Sequence, residues 1–398
     1  MTAIRSISFV ITNSTNPGLF LSAPALNVVG ASYPKTATLT YTSAANQNGT
    51  ATISYHAHDN GGTANGGVDN NPASPSPDLT FTITVNAVND PPVVVAPAAF
   101  AVQANMKRTG LTGLLGNVSD TADAGVGTIP CVPTPFTVTS GSISATTPAG
   151  GTISNVNLST GTFDFDPPPG VTGDVTFTYT VSDTGCPGVA ISAPVTVHVT
   201  VSGPVIWFVN PTSANPAAAG DGRLSNPFTR LDQATTAIGL NASQRIFVFT
   251  GFGSTVAGTT VTLQGSGTQA AAQWLVGQGA IDAGGFDTLM GISPPAGTIA
   301  RPTINGTRPN ILGTVTMKDN TVVQGLNINV SAGATKGLTA LNWGTNTALT
   351  IKDVNVSPLP AEMPSISATA LSTVNRSPTP RATLQPLPTS FHPRPAPL

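Results

Sequence analysis

Residues 173–183 read GDVTFTYTVSD, and apolar and polar side chains alternate along this stretch. Successive side chains of a β-strand point to opposite faces, so the alternation places Phe177 and Tyr179 together on one face. Residues 195–201 (VTVHVTV) and 79–85 (LTFTITV) repeat the pattern. These stretches predict strands that bury one face in a core and expose the other.

The composition of the whole chain indicates the same class of fold. The 398 residues include 41 Gly and 36 Pro, which favour turns, and a single glutamate, Glu362. Helix-forming residues are scarce, whereas Thr and Val, which suit strands, are common throughout. We therefore predict an all-β protein made of many short strands joined by turns.

Charged residues are few, and this limits the functions that the chain can have. Lys and Arg number 15 against 17 Asp and Glu, so only 8% of residues are charged and the formal net charge is −2. This scarcity excludes the basic surface that nucleic-acid binding needs. No apolar run approaches the roughly 20 residues of a membrane-spanning helix, so no such segment is expected.

The first half of the chain carries motifs of a known repeat family. Residues 48–62 (NGTATISYHAHDNGG) and 88–92 (VNDPP) resemble the tandem immunoglobulin-like, cadherin-like repeats of large bacterial surface proteins, and residues 161–183 are similar to the closing hairpin of the same repeats. The resemblance implies two β-sandwich repeats, residues 1–92 and 93–203, and an extracellular or cell-surface location. The N-terminus shows no secretory leader, so we expect an upstream part to be missing.

A different pattern begins near residue 204. Residues 205–210 (VIWFVN), 220–222 (GDG) and 225–234 (SNPFTRLDQA) resemble the cap of right-handed parallel β-helices with the pectin-lyase-like fold. Short strand patterns then recur at intervals typical of a solenoid. They occupy residues 245–249, 261–263, 273–279, 320–328 and 348–356. We expect residues 204–356 to form the start of such a helix, truncated before its polar cap.

Residues 357–398 break this pattern. They contain no Gly but carry 10 of the 36 Pro. One interpretation is a disordered Pro-rich tail that serves as a linker. The interpretation that we favour is a shifted reading frame, because Gly disappears in the middle of the solenoid pattern.

The resemblance to cadherin-like repeats implies one candidate metal site. Such repeats hold calcium between domains with Asp, Asn and Glu oxygens, which points to Asp59, Asn89 and Asp90. Ala87 stands where the family motif has an acid, and no glutamate precedes Glu362, so only a weak calcium site is expected. The alternative is that these side chains form hydrogen bonds within turns and the linker.

Two further pairs of residues are candidates for cross-linking or metal binding. Cys131 and Cys186 are the only cysteines, and a disulfide between them is expected if the chain is exported. The alternative is two separate thiols in loops. His56 and His58 flank Ala57, so both imidazoles lie on one strand face, where they could hold a metal or be merely exposed.

No catalytic residue or cofactor emerges from the sequence. The charged residues of 204–356 are scattered, and the paired aspartates of pectin-degrading enzymes are missing. We therefore expect a non-enzymatic surface protein that acts as a stalk and adhesin and contacts a glycan or a protein on a cell surface. Two alternatives remain: a polysaccharide lyase or hydrolase with sandwich spacers, and a pure scaffold.

Overall fold

The computed structural model describes eleven segments of the chain, and the structural statements below concern these residues. They are residues 6–30, 35–64, 68–72, 77–120, 135–183, 188–211, 220–251, 259–330, 337–340, 349–357 and 366–368.

The first region, residues 1–92, contains two antiparallel sheets. Its elements are β1 (Ile7–Ser14), a 3-10 helix (Pro17–Leu19), β2 (Phe20–Val29), β3 (Thr36–Ser43), β4 (Gly49–Asp59), β5 (Asn70–Asn71) and β6 (Leu79–Val85). Strand β4 pairs with β1, β5 and β6, while β2 pairs with β3. A small core of Leu19, Phe20, Ala51, Ile53 and Ile83 lies between the two sheets.

The alternation predicted for β6 is confirmed in the middle of the strand and wrong at its start. Ile83 is buried, whereas Leu79 is 49% exposed. Leu79 pairs with Tyr55, while Ile83 pairs with Ala51, which belongs to the buried core. The start of β6 therefore extends past the covered part of the sheet.

The second region, residues 93–203, has a larger core between two three-stranded sheets. Its strands are β7 (Val93–Val94), β8 (Phe100–Gln103), β9 (Arg108–Leu111), β10 (Val118–Ser119), β11 (Thr137–Val138), β12 (Thr152–Asn157), β13 (Thr162–Asp166), β14 (Gly173–Tyr179), β15 (Val181–Ser182) and β16 (Val195–Ser202). The sheets have the orders β12-β13-β9 and β14-β16-β8. Phe163 on β13 meets Phe177 on β14 with ring centroids 5.7 Å apart, so the two sheets pack face to face.

The alternation that predicted these strands is confirmed. In β16 the four valines are buried and the residues between them are exposed, and Phe177, Tyr179 and Val181 are all buried. The hydroxyl of Tyr179 donates to the carbonyl of Leu114 at 2.7 Å, which satisfies its polar atom inside the core.

The third region, residues 204–356, is built from parallel strands and two short helices. The elements are β17 (Ile206–Val209), α1 (Leu231–Ile238), β18 (Arg245–Val248), β19 (Thr259–Thr262), β20 (Trp274–Gly277), α2 (Gly285–Leu289), β21 (Asn310–Met317), β22 (Val322–Gln324), β23 (Asn327–Asn329), β24 (Leu338–Ala340), β25 (Thr350–Lys352) and β26 (Val354–Ser357). One parallel sheet has the order β17-β18-β20-β22-β25, and β19, β21, β23 and β26 follow one another in a second. A short strand β27 (Ile366–Ala368) pairs antiparallel with β26.

The short strands expected in this region are confirmed at all five predicted positions, and the segment that follows Asn226-Pro227-Phe228 forms the helix α1. The sequence pattern missed β21 and β24.

In the part of the chain that the structure describes, no helix has both the length and the hydropathy to span a membrane. The all-β class is correct.

Neighbouring positions on β16 provide a test of the predicted core. Val199 is fully buried, whereas Thr200 is exposed on the other face. We expect Val199→Ala to lower the free energy of unfolding by about 2–3 kcal/mol, because it removes two buried carbons and leaves a cavity. Thr200→Ala should change it by less than about 0.5 kcal/mol. Urea unfolding followed by tryptophan fluorescence measures both, and equal losses would contradict the assignment of faces.

Candidate functional site: the junction between the second sandwich and the parallel sheets

The second region joins the third through a set of buried hydrogen bonds. After β8, Asn105 is fully buried and has a left-handed backbone with φ of 58°. Its Nδ2 donates to the carbonyl of Ile206 at 3.0 Å, and its Oδ1 accepts the N–H of Gly170 at 2.7 Å. The N–H of Leu224 donates to the Asn105 carbonyl at 2.9 Å. One residue thus connects three other segments of the chain.

A buried ion pair crosses the same junction. Asp166, at the end of β13, lies 3.4 Å from the Nη1 of Arg223, and the Nη2 of Arg223 donates to Asp221 at 2.6 Å. The hydroxyl of Ser225 donates to Asp166 at 2.5 Å. Nη1 also donates to the carbonyl of Pro167 at 3.2 Å. The guanidinium therefore holds the turn after β17 against the end of the sandwich.

The pKa values of the two carboxylates in this cluster are shifted in opposite directions. Burial raises the pKa of Asp166 above its ordinary value, although Ser225 and Arg223 oppose the rise. Burial acts in the same direction on Asp221, but the hydrogen bonds and charge of Arg223 outweigh it and hold the pKa of Asp221 below its ordinary value. Arg223 therefore stays fully charged between them, and its own pKa is raised by Asp221 and Asp166 despite its burial.

An aromatic contact closes another part of the junction. Trp207 stacks on Phe228 with ring centroids 5.7 Å apart, and its Nε1 donates to Gln244 at 2.8 Å. Gly170 lies against the indole with φ of 74°, and a Cβ at this position would come within 2.8 Å of the ring. Only glycine combines this backbone conformation with this close approach.

The second and third regions also contact each other where residues 107–109 meet residues 296–299. The N–H of Thr109 donates to the carbonyl of Gly297 at 2.9 Å, and the N–H of Ile299 donates to the carbonyl of Lys107 at 3.0 Å. The Nε of Arg108 donates to the carbonyl of Ala296 at 2.9 Å. One apolar cluster includes buried residues from Val102 of the sandwich to Val354 of the parallel sheets. Polar and apolar contacts together make the junction a packed interior.

A polar depression opens beside this interior. Its volume is about 510 Å³, and no charged side chain lines it. The lining residues are Gly170, Thr172, Gly203, Pro204, Val205, Asn241, Ala242, Ser243 and Gln244. Hydroxyl and carboxamide groups of this kind form hydrogen bonds with neutral polar ligands.

Two of the three predicted calcium ligands, Asp59 and Asn89, have different hydrogen-bond partners in the structure. Asp59, at the end of β4, accepts the N–H of Gly61 at 2.6 Å. Asn89 instead contacts the second region, because its Nδ2 donates to Asp183 at 2.9 Å and to the carbonyl of Gly188 at 2.6 Å. No group of three or more His, Cys, Asp or Glu side chains suited to a metal occurs among the described residues. Calcium binding on Asp59, Asn89 and Asp90 stays a prediction.

The predicted disulfide lies outside the described part of the chain, because both Cys131 and Cys186 do.

Several scattered charges of the third region have structural partners. Arg301 pairs with Asp287 at 3.1 Å, and Lys318 donates to Gln264 at 2.7 Å. Lys352 donates to the carbonyl of Ile281 at 3.0 Å. These contacts hold loops and neighbouring coils together.

The residues of the junction were not identified from the sequence. Asp166 lies in FDFDPPPG, part of the segment that resembles a closing hairpin, and Arg223 follows the GDG of the segment that resembles a β-helix cap. An arginine inside a Gly-rich turn is the one available signal, because a guanidinium at such a position needs acceptors from elsewhere in the fold.

Comparisons with known proteins agree with the sandwich part of this description. Residues 89–202, less than half of the chain, match the sequence family described as Bacterial Ig domain. No curated protein matches the chain.

Three solved structures illustrate the structural similarity. Human CDH23 EC21-23 shares 15% identity over 49% of this chain and 62% of its own, with a TM-score of 0.30. Protocadherin gamma B2 extracellular cadherin domains 1-5 share 17% identity over 50% of this chain and 33% of their own, with a TM-score of 0.28. Domains 4 and 5 of the S-layer protein SbsC share 16% identity over 50% of this chain and 70% of their own, with a TM-score of 0.15. This chain thus spans less than two thirds of the two cadherin structures, and similarities this weak assign no function.

The buried ion pair of the junction can be compared with an exposed pair close by. The Arg223 and Asp166 side chains are 11% and 9% exposed, whereas those of Arg230 and Asp232 are 39% and 38% exposed. We expect Arg223→Met to lower the free energy of unfolding by about 3 kcal/mol, because it leaves Asp166 buried without its cation. Arg230→Met should cost less than about 1 kcal/mol. Chemical denaturation measures both, and a similar small loss for the two variants would show that the junction pair is not a buried one.

Proposed function

We propose that the chain is a non-enzymatic segment of an extracellular bacterial surface protein, in which the second sandwich and the parallel sheets form one rigid stalk with an adhesive surface. The single observation that carries this proposal is the junction, where Asn105 and Arg223 connect the two parts through buried hydrogen bonds. A stalk has to transmit its orientation from one domain to the next, and a packed interface does so where a flexible linker does not.

The family match supports the bacterial and extracellular part of the proposal. It covers residues 89–202, which is nearly all of the second sandwich. We assign the remaining units as the sequence predicts them, with a first sandwich at 1–92, the start of a right-handed parallel β-helix at 204–356 and a tail at 357–398. The in-register parallel pairing of β17, β18, β20 and β22 supports the β-helix assignment.

The adhesive contact is proposed at the polar depression beside the junction. A neutral glycan presents hydroxyl groups, which suit the side chains of Thr172, Asn241 and Gln244 better than a charged ligand would. The depression lies between two parts that the junction holds in one orientation. Its shape is therefore fixed before a ligand arrives, which reduces the entropic cost of binding.

The rigidity of the stalk can be measured directly. We expect nitroxide labels on p-acetylphenylalanine at Thr200 and Thr236, both exposed, to give one narrow distance distribution by pulsed electron resonance. The combined variant Asn105→Ala and Arg223→Met should broaden it, because it removes the polar contacts that fix the angle. Arg230→Met serves as the control and should leave the width unchanged. A broad distribution in the unmodified chain would overturn the stalk proposal.

Glycan binding needs a separate experiment. On an array of neutral bacterial and host polysaccharides, we expect binding that Thr172→Trp weakens about tenfold or more, because a large side chain fills the depression. Thr196→Trp, on the exposed face of β16, is the control and should bind normally. Equal binding by both variants would contradict the proposed surface, and release of sugar fragments would contradict the non-enzymatic assignment.

A further inference from the structure

Two histidines lie side by side on the outer face of β4. Ala51 and Ile53 of this strand are fully buried. The alternation of the strand therefore places His56 and His58 together on the opposite, outer face. The imidazole of His56 is 18% exposed, and His58 is exposed. Their Cα atoms are about 6.6 Å apart, two strand residues along the chain.

Each imidazole is held through its Nδ1. The Nδ1 of His56 lies 3.2 Å from Oδ1 of Asp78, and the Nδ1 of His58 lies 2.8 Å from Oδ1 of Asn70. Asp78 also accepts a hydrogen bond from the hydroxyl of Thr12. The Oδ2 of Asp78 faces the hydroxyl of Thr12 and its Oδ1 faces the imidazole of His56, so both carboxylate oxygens have a partner.

These acceptors determine which ring nitrogen carries the proton. An ionised carboxylate and a carboxamide oxygen accept hydrogen bonds and donate none. The Nδ1 of each neutral imidazole must therefore carry the hydrogen, and the Nε2 keeps its lone pair. This is the tautomer that a histidine adopts when Nε2 binds a metal and Nδ1 donates to a carboxylate or carbonyl.

The two anchors also lie on the same side of β4. Strand β1 pairs with residues 53–59 of β4, and this span overlaps the residues that pair with β5 and with β6. A strand has only two edges, so β5 and β6 both occupy the edge opposite β1. Asn70 lies in β5 and Asp78 directly precedes β6, so both anchors come from that edge, and the Asp78 carboxylate also reaches Thr12 of β1.

We propose that His56 and His58 form a two-histidine site for a divalent transition metal ion of the Ni²⁺, Zn²⁺ or Cu²⁺ type. The ion would bind the two Nε2 atoms, and water would complete its coordination. Imidazole nitrogen suits these ions, whereas calcium prefers oxygen ligands. Metal–nitrogen bonds of about 2.0–2.1 Å require the two rings to lean towards each other when the ion binds.

Another histidine of the chain provides a matched control. His198 on β16 also has its Nδ1 on a carboxylate, 2.8 Å from Oδ2 of Asp174. Its same-face neighbours two residues away are Thr196 and Thr200, so it has no second imidazole on its own strand. If an isolated anchored histidine were sufficient, His198 would bind the ion equally well.

The test is isothermal titration calorimetry of the full chain with NiCl₂ and, separately, ZnCl₂ in a non-coordinating buffer. We expect one ion per chain, with binding weakened about tenfold or more by His56→Gln or His58→Gln, because each removes one of the two ligands. His198→Gln and His392→Gln should leave the affinity unchanged. Since His58 is exposed, His58→Gln should keep its thermal unfolding temperature without metal.

Two further measurements separate metal binding from a merely structural role. Asp78→Asn should weaken binding about tenfold, because the carboxylate raises the basicity of the ligand ring. In ¹⁵N spectra of the imidazoles, Zn²⁺ should shift the Nε2 signals of both residues while each Nδ1 stays protonated. The proposal is overturned if His58→Gln binds the ion as tightly as the original chain, or if His198→Gln abolishes binding.

Discussion

The junction between the sandwich and the parallel sheets depends on one fully buried carboxamide, that of Asn105. It satisfies the carbonyl of Ile206, a fully buried residue, and the N–H of Gly170, a half-buried one. A buried polar group without a partner costs about 1–3 kcal/mol. The left-handed backbone of Asn105, which asparagine adopts more readily than most residues, aims the side chain between the two segments.

The ion pair and the apolar contacts of the junction have different roles. Burial of side chains such as Trp207 and Val205 provides the main favourable free energy, which does not depend on direction. A buried Arg–Asp pair adds little net stability, because both charges lose their hydration, but it fixes geometry strongly once formed. Arg223 therefore specifies how the turn after β17 faces Asp166, while the apolar cluster holds the two parts together. This division explains how a chain with so few charges can still have a defined angle between its parts.

The strands could be predicted from the sequence, whereas the junction could not. Alternation is a property of neighbouring residues, so it identified β14 and β16 and the buried faces of both. It failed for Leu79, since burial there depends on what covers the sheet and not on the strand itself. The hydrogen-bond partners of the Asn105 side chain are 65 and 101 residues away in the chain. The Arg223 side chain, besides the contacts within its own turn, donates to residues that are 56 and 57 positions away. No local pattern encodes contacts at that separation. The calcium prediction rests on family resemblance and the disulfide prediction on the expected export of a chain with two cysteines, and the structure leaves both untested.

The alternation that builds the sheets also determines where this protein can bind a ligand. Inner faces are filled with residues such as Val197 and Val199, so chemistry is confined to outer faces and to the places where units meet. A single side chain on an outer face, such as His198, gives an ion only one ligand. Two identical side chains two positions apart share a face, and cross-strand neighbours orient both of them. In a chain with four histidines, His56 and His58 are the pair at that spacing. Both proposed sites follow this rule, because the histidine pair stands on an outer face and the polar depression lies where two units meet.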